Sequence, residues 1–357
     1  MKKWFAWLAA AVCALSLLTA CGAQTDSTPA GSEGSPSETG VSGTTAGSTE
    51  KAAAEGSSYS IALCLTGSAD EPGWNTLAYD GLKQLGETYG CKISLSDRLT
   101  SDTLPDAVER YAADGNQIII GLGQEFADAA LKIGKKHSGT DFICIQAHTS
   151  SSNVASYNIR TEEPAYLTGL LASGLSISNV VGFIGPYNEE PYTKMARAFE
   201  NGAKESNPDV TFQAVWLDSD SNTGAAREAV NDMIASDADI IGQCAGRNSD
   251  GVLDAVYSGG AMSFGDVYDQ SLKYPRTVVT SAVYDITGLV TLAAEDVMNG
   301  SFKGEVRDFG LAEGMIEMTP YGEMGSRVPK KLKTLVEEKI ESIKAGTFTV
   351  PCGEGQK

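Results

Sequence analysis

Residues 60–90 read SIALCLTGSADEPGWNTLAYDGLKQLGETYG. The first six, Ser60 to Leu65, have the composition of a buried strand, and a polar loop then closes on the cluster EPGWN, Glu71 to Asn75. Beyond it Leu77, Leu82 and Leu85, with Ala78 and Gly81 between them, recur at helical spacing, so one face of the following helix is apolar and packs on a sheet. The loop therefore lies where a first strand hands over to a first helix, which is where ligands bind in open α/β sheets. Trp74 offers a flat apolar face there, and Asn75 offers a donor and an acceptor. Such a pair is suited to a polar ring.

Working outward, the alternation continues. Strands are predicted at Cys91–Leu95, Gln117–Gly121, Asp141–Gln146 and Val154–Ile159, with helices at Asp102–Ala113, Phe126–His137 and Glu162–Leu175. A second series opens with the strand Val180–Gly185, the loop PYNEEPY (Pro186 to Tyr192) and a helix with Met195, Phe199 and Ala203 on one face. It repeats the plan of the opening unit about 120 residues on, which implies two similar lobes. Strands at Val210–Trp216, Asp239–Gln243, Ala261–Gly265 and Thr277–Ser281 follow, with helices at Thr223–Ala235 and Ser249–Tyr257. Short β-branched runs separated by helices indicate βαβ units and parallel sheets. Near the end come a helix at Asp285–Asn299, extended runs at Arg307–Leu311 and Gly314–Met318, and a charged helix from Pro329 to Ala345. The helix after Ser281 is expected to return to the first lobe and the chain after Leu311 to cross back, giving three hinge strands.

The N-terminus is of another kind. Lys2 and Lys3 precede an apolar run from Trp4 to Leu18, ending in Leu18-Thr19-Ala20-Cys21. This reads as a secretory signal, residues 1–20, too short to span a bilayer comfortably. Residues 21–57 are Ser, Thr, Gly, Ala and Glu with almost nothing to bury, the composition of a flexible tether. The whole chain carries a net charge of −19, which becomes −21 without the two leader lysines. Nucleic acid and anionic lipid surfaces are therefore poor partners for the body. His137 and His148 are the only histidines, which excludes a histidine-rich metal site, and no cofactor is called for. Cys64, Cys91, Cys144, Cys244 and Cys352 remain after the leader and Cys21; three of them lie in strand-like runs, as buried thiols do.

With these elements in place the chain resembles the basic membrane protein family of bacterial substrate-binding lipoproteins, which includes purine-nucleoside receptors of ABC transporters. The resemblance is carried by EPGWN with Tyr79-Asp80-Gly81-Leu82, GLGQEFADAA (Gly121 to Ala130), EEPAYLTGLLAS (Glu162 to Ser173), VGFIG (Val181 to Gly185), FENGAK (Phe199 to Lys204), DADIIGQCAGRNSDGV (Asp237 to Val252), FGDVYDQ (Phe264 to Gln270) and VVTSAVYD (Val278 to Asp285). The ending Leu18 to Cys21 resembles the lipoprotein box, which implies that Cys21 is acylated and anchors the protein on the outer face of the cell membrane without crossing it.

The family resemblance implies a type I periplasmic-binding-protein-like α/β fold: two lobes, each a parallel sheet flanked by helices, joined by a multi-strand hinge. One lobe would comprise 58–161 with 284–311, the other 162–283 with 312–357. A nucleoside, most simply a purine nucleoside, would lie between them and be passed to ABC permease subunits. Trp74 and Asn75 match the aromatic and asparagine of the family's first loop, and Asp266 its later carboxylate. Glu71 and Gln146 stand where the family usually has aspartate, Tyr284 where it has the ribose-binding lysine, and Asp220 in place of a stacking phenylalanine. These departures leave the ligand open to another flat heterocycle, such as riboflavin, or to a modified nucleoside.

Each residue also has a plainer reading. Trp74 can simply pack the start of its helix, Asn75 can cap it, and Asp266 can be a turn residue instead of an acceptor for sugar hydroxyls. Tyr187, Tyr192 and Tyr268 are candidates for a second ring from the other lobe. Gly246, with Arg247 and Asn248, precedes a helix and suits a polar group held by backbone N–H, or else Arg247 is a solvated loop residue. Phe126 reads as core, and Gln124 as a ligand contact. An enzyme acting on the same nucleosides is the competing class, but no G-x-S-x-G elbow or metal-ligand cluster supports one. A surface sensor without a transporter is the third class.

Overall fold

The computed structural model describes residues 59–353; the leader, Cys21 and the tether lie outside them. The first series comprises β1 (Ser60–Cys64), α1 (Trp74–Tyr89), β2 (Lys92–Ser96), α2 (Leu104–Ala113), β3 (Ile118–Leu122), α3 (Gly123–Gly134), β4 (Asp141–Ile145) and β5 (Val154–Ile159). The second comprises α4 (Glu162–Leu175), β6 (Val180–Gly185), α5 (Tyr192–Ser206), β7 (Thr211–Trp216), α6 (Thr223–Ala235), β8 (Ile240–Gln243), α7 (Ser249–Gly259), β9 (Met262–Gly265) and β10 (Val278–Tyr284). α8 (Ile286–Met298), β11 (Val306–Phe309), β12 (Ile316–Met318) and α9 (Lys330–Lys344) complete it.

Two six-stranded sheets result, ordered β11-β5-β4-β3-β1-β2 and β12-β10-β9-β8-β6-β7. All pairings are parallel except that of β10 with β12. In both sheets the strand order reverses beside the opening strand, β1 or β6, so each lobe has its own switch point at the carboxyl ends of its strands. The chain passes from one sheet to the other after β5, after β10 and after β11. β10 runs three residues beyond the expected end at Ser281, because Ala282–Tyr284 pair with Ile316–Met318 of β12, a partner more than thirty residues away that local pattern does not reveal.

Close backbone approach locks the helices. A Cβ on Gly81 of α1 would meet Val290 of α8 at 2.9 Å, and Thr287 Oγ1 donates to the Leu77 carbonyl at 2.9 Å, which ties the returning α8 to the first lobe. In the second lobe Gly169 of α4 and Gly202 of α5 each face the other helix's backbone: a Cβ on either would lie 2.1 Å from the Phe199 or Tyr166 carbonyl oxygen. At the hinge Glu163, buried in the first turn of α4, accepts the Leu311 N–H at 2.8 Å, and Gly310 has no side chain because that carboxylate occupies the space. Arg160 reaches Glu313 at 3.0 Å alongside. Cys64, Cys91, Cys144 and Cys244 are buried free thiols and Cys352 a half-buried one; burial pushes the Cys64 thiol up to about 12, out of reach of ready oxidation.

Candidate functional site

The loops after β1, β8 and β9 and the end of β10 meet between the lobes. Glu71, in the loop after β1, forms an ion pair with Arg247 Nε at 3.2 Å, and Arg247 also reaches Asp220 at 2.5 Å. Arg247 belongs to the short 3₁₀ turn Gly246–Asn248 after β8, so this ion triad fastens the first lobe to the second across the mouth of the cleft. Arg247 is an exposed loop residue, as its plainer reading has it, and it also pairs with two carboxylates; hydrogen bonding to Asp220 pushes its guanidinium further up. Asp220 takes no place in a ring stack. Gly246 stands at φ 55, a backbone conformation that favours glycine, with open space beside its Cα.

Trp74 is the first residue of α1, half-buried, and its ring lies 5.7 Å from that of Tyr284 at a tilt of 50°. The ring beside the indole is that of Tyr284, at the end of β10. Tyr187 and Tyr192 instead face each other at 6.2 Å, with burial pushing the Tyr192 phenol up to about 12. Tyr268 is half-buried, its hydroxyl 3.5 Å from Gln270 Nε2. Tyr284 is 2% exposed and donates from its hydroxyl to Asp266 Oδ1 at 2.6 Å.

Asp266 follows β9. Burial pushes its carboxyl from 3.8 up to about 6, against the lowering effect of the Tyr284 hydroxyl and the Val267 N–H. The carboxylate keeps some surface, but that surface borders a cavity of about 20 Å³ lined also by Thr168, Phe183, Met195, Gln243 and Tyr284, room for one water, so bulk solvent does little to stabilise its charge. Behind it lies a polar network absent from the expected site. Gln270 Oε1 accepts the Asp266 N–H at 3.0 Å and Gln243 Nε2 at 3.0 Å, while its amide donates to Ser249 Oγ at 2.7 Å. Ser281 Oγ accepts the Gln270 N–H at 3.1 Å. Both glutamines sit inside quoted family motifs, but hydropathy pattern alone makes them ordinary loop polars.

Two expectations change. Asn75 does not cap α1: Gly73 occupies the cap at φ 116, and Asn75 Nδ2 lies 3.4 Å from Glu71 Oε2. Gly67 permits that pairing, since a Cβ there would stand 2.1 Å from Asn75 Nδ2. Gln146, expected to reach into the cleft, stands at φ 61 and turns its amide back on β5, where Oε1 accepts the Ile159 N–H at 2.6 Å and Nε2 approaches the Ile159 carbonyl at 3.5 Å. Its polar atoms serve the first hinge passage. Gln124 is likewise engaged by Asp128, Thr149 and the His148 N–H, and Phe126 is core.

Two sheets with their strand ends facing a cleft, three chain crossings and a clasped mouth define a type I solute-binding protein. The chain belongs to the family described as ABC transporter substrate-binding protein PnrA-like (Bmp), whose model matches residues 59–350. It is 26% identical over 282 residues to a purine-binding protein of Brucella abortus (strain 2308), covering 78% of this chain and 80% of that one. It is also 26% identical over 291 residues to basic membrane protein A of Borreliella afzelii, covering 79% and 87%. Among solved structures, an ABC transporter solute-binding protein from Aeropyrum pernix K1 superposes with a TM-score of 0.74 at 19% identity, over 83% of this chain and 94% of that chain. The protein is thus a substrate-binding component of an ABC transporter, a class that binds small solutes and works with permeases, not one of enzymes.

Proposed function

We propose that this protein captures a purine nucleoside between its lobes and delivers it to an ABC importer while held to the outer face of the membrane by a lipid on Cys21. The observation that carries the reading is the group formed by Trp74, Tyr284 and Asp266, in which an aromatic face from one lobe meets an acceptor from the other. A base stacks on the indole, gaining about 0.5–1.5 kcal/mol beyond its burial, and O–H or N–H donors pair with Asp266. Glu71, Asn75, Gly246, Tyr192 and Tyr268 are the further solute contacts of this reading. The name of the Brucella relative supports the purine. Contacts from both lobes exist only when the cleft is closed, so the solute favours closure by that differential affinity.

The test is a thermal-shift screen over nucleosides, bases, flavins and sugars, followed by calorimetric titration. A solute at a hundred times its Kd raises stability by about 2.7 kcal/mol. Trp74→Ala and Asp266→Ala each lower affinity at least tenfold; parent-like binding in both variants refutes this cleft. A shift with riboflavin and none with nucleosides selects the flat-heterocycle alternative, to which the replacement of a cation by Tyr284 lends support. Incubation with excess nucleoside releases no free base if the protein is a receptor only. The lipid reading, on a residue outside those described, is tested by metabolic palmitate labelling, which Cys21→Ala abolishes.

A further inference from the structure

Asp266 follows β9 and Tyr284 ends the neighbouring β10, and one hydrogen bond of 2.6 Å joins the phenol to Oδ1. Val267 turns its N–H onto the same carboxylate, its backbone at φ 72, a conformation β-branched residues rarely adopt. The Tyr284 N–H in turn donates to the Val267 carbonyl at 3.0 Å, and Gln270 fixes the Asp266 N–H from below. The phenol and the Val267 N–H hold the carboxylate itself, and the other two bonds hold the backbone that carries it. No side chain among the described residues donates to Oδ2. Trp74, packed on the outer side of the Tyr284 ring, keeps the phenol in place.

We propose that Tyr284 is a positioning residue for Asp266: its hydrogen bond to Oδ1 fixes the orientation of the carboxylate and leaves Oδ2 free to accept a hydrogen bond from the solute. The proposal rests on the solute-binding reading of this cleft. A phenol that gives its proton to a carboxylate cannot also give it to a ligand, so the pair can only accept from the solute. The site then selects a solute presenting an O–H or N–H donor at that point, and it needs Asp266 ionised. The titratable groups facing the carboxylate are Tyr284 on β10 and Cys244 just after β8, with Glu162 of α4 behind Tyr284; Lys194 of α5 is spent on Glu162 at 2.7 Å. The Tyr284 hydrogen bond favours the ionised form against burial.

The experiment titrates adenosine into the protein between pH 5 and pH 8 and, separately, follows the Asp266 carboxyl carbon by NMR in the unliganded protein, assigned by its loss in Asp266→Asn. In the parent, affinity falls as the pH drops through about 6, tracking the carboxyl. Tyr284→Phe moves both midpoints up by about one pH unit, while affinity at pH 8 stays within about fivefold. Asp266→Asn binds weakly at every pH. If Tyr284→Phe lowers affinity equally across the range with the midpoints unmoved, the phenol serves only to pack Trp74 and the proposal is overturned. A fall through pH 6 that persists in Asp266→Asn overturns it too. If neither adenosine nor any other purine nucleoside binds the parent at pH 8, the nucleoside reading falls, and the carboxyl titration alone still decides whether Tyr284 holds Asp266.

Discussion

Replacing Asp266 by asparagine removes a negative charge from beneath Trp74 and Tyr284 while keeping the side chain's shape. In the folded protein the carboxyl titrates at about 6, against 3.8 for an ordinary aspartate, and the first cause is burial. At about 1.4 kcal/mol per pH unit, holding it ionised above pH 6 costs the fold about 3 kcal/mol. Asparagine avoids that cost but leaves an amide donor in the small cavity, a penalty of about 1 kcal/mol, so the variant should be about 2 kcal/mol more stable at pH 7.5. The sign follows from proton binding: between pH 3.8 and about 6 the folded state holds more proton than the unfolded one, so Asp266 makes the parent progressively less stable as the pH rises through that window. Below it the handicap is gone, and at pH 4 the variant should be level with the parent or slightly below it. Urea unfolding at pH 4 and 7.5 measures both gaps. An advantage equally large at pH 4, or none at pH 7.5, refutes the idea that a buried charge is being held at the cleft. The stabilised variant is also the one expected to lose its ligand, the usual exchange at a binding site.

Arg247→Ala should change stability by less than about 1 kcal/mol, because its ion pairs are half exposed, yet raise the radius of gyration of the unliganded protein in X-ray scattering; salt at 0.5 M should do the same to the parent. An unchanged radius in both would mean the triad does not hold the lobes together. Gly202→Ala drives a Cβ against the Tyr166 carbonyl and should cost about 1–3 kcal/mol, read as a lowered urea midpoint. At the hinge, Glu163→Ala leaves the Leu311 N–H without its acceptor, for a loss of about 1–3 kcal/mol, whereas Glu163→Gln retains an acceptor and should stay within about 1 kcal/mol of the parent; equal losses in the two variants would point to side-chain volume, not the hydrogen bond.

Much of the architecture is legible along the chain because strands and helices advertise themselves locally. Ile61–Leu65, Ile118–Ile120 and Val181–Ile184 are buried on both faces and read as unbroken apolar runs, while α1 and α5 show their buried residues at helical spacing. The cleft loops follow from the same grammar, since a ligand site at the carboxyl ends of parallel strands needs only their order. Trp74 and Asp266 were reachable by that route, and the family motifs around them gave the class of protein.

What only the tertiary structure decided is how the polar side chains are spent. Gln146 and Gln124 have the right positions for a ligand but are engaged by neighbouring backbone and side chains; Arg247, an exposed loop residue, also pairs with acids from two loops; Tyr284 gives its hydroxyl proton to Asp266. Hydropathy is a property of each residue and repeats with the local backbone, so it survives in one dimension. A hydrogen bond between residues 71 and 247, or 163 and 311, depends on where two distant stretches meet, and its direction depends on ångström-scale geometry that no local pattern carries.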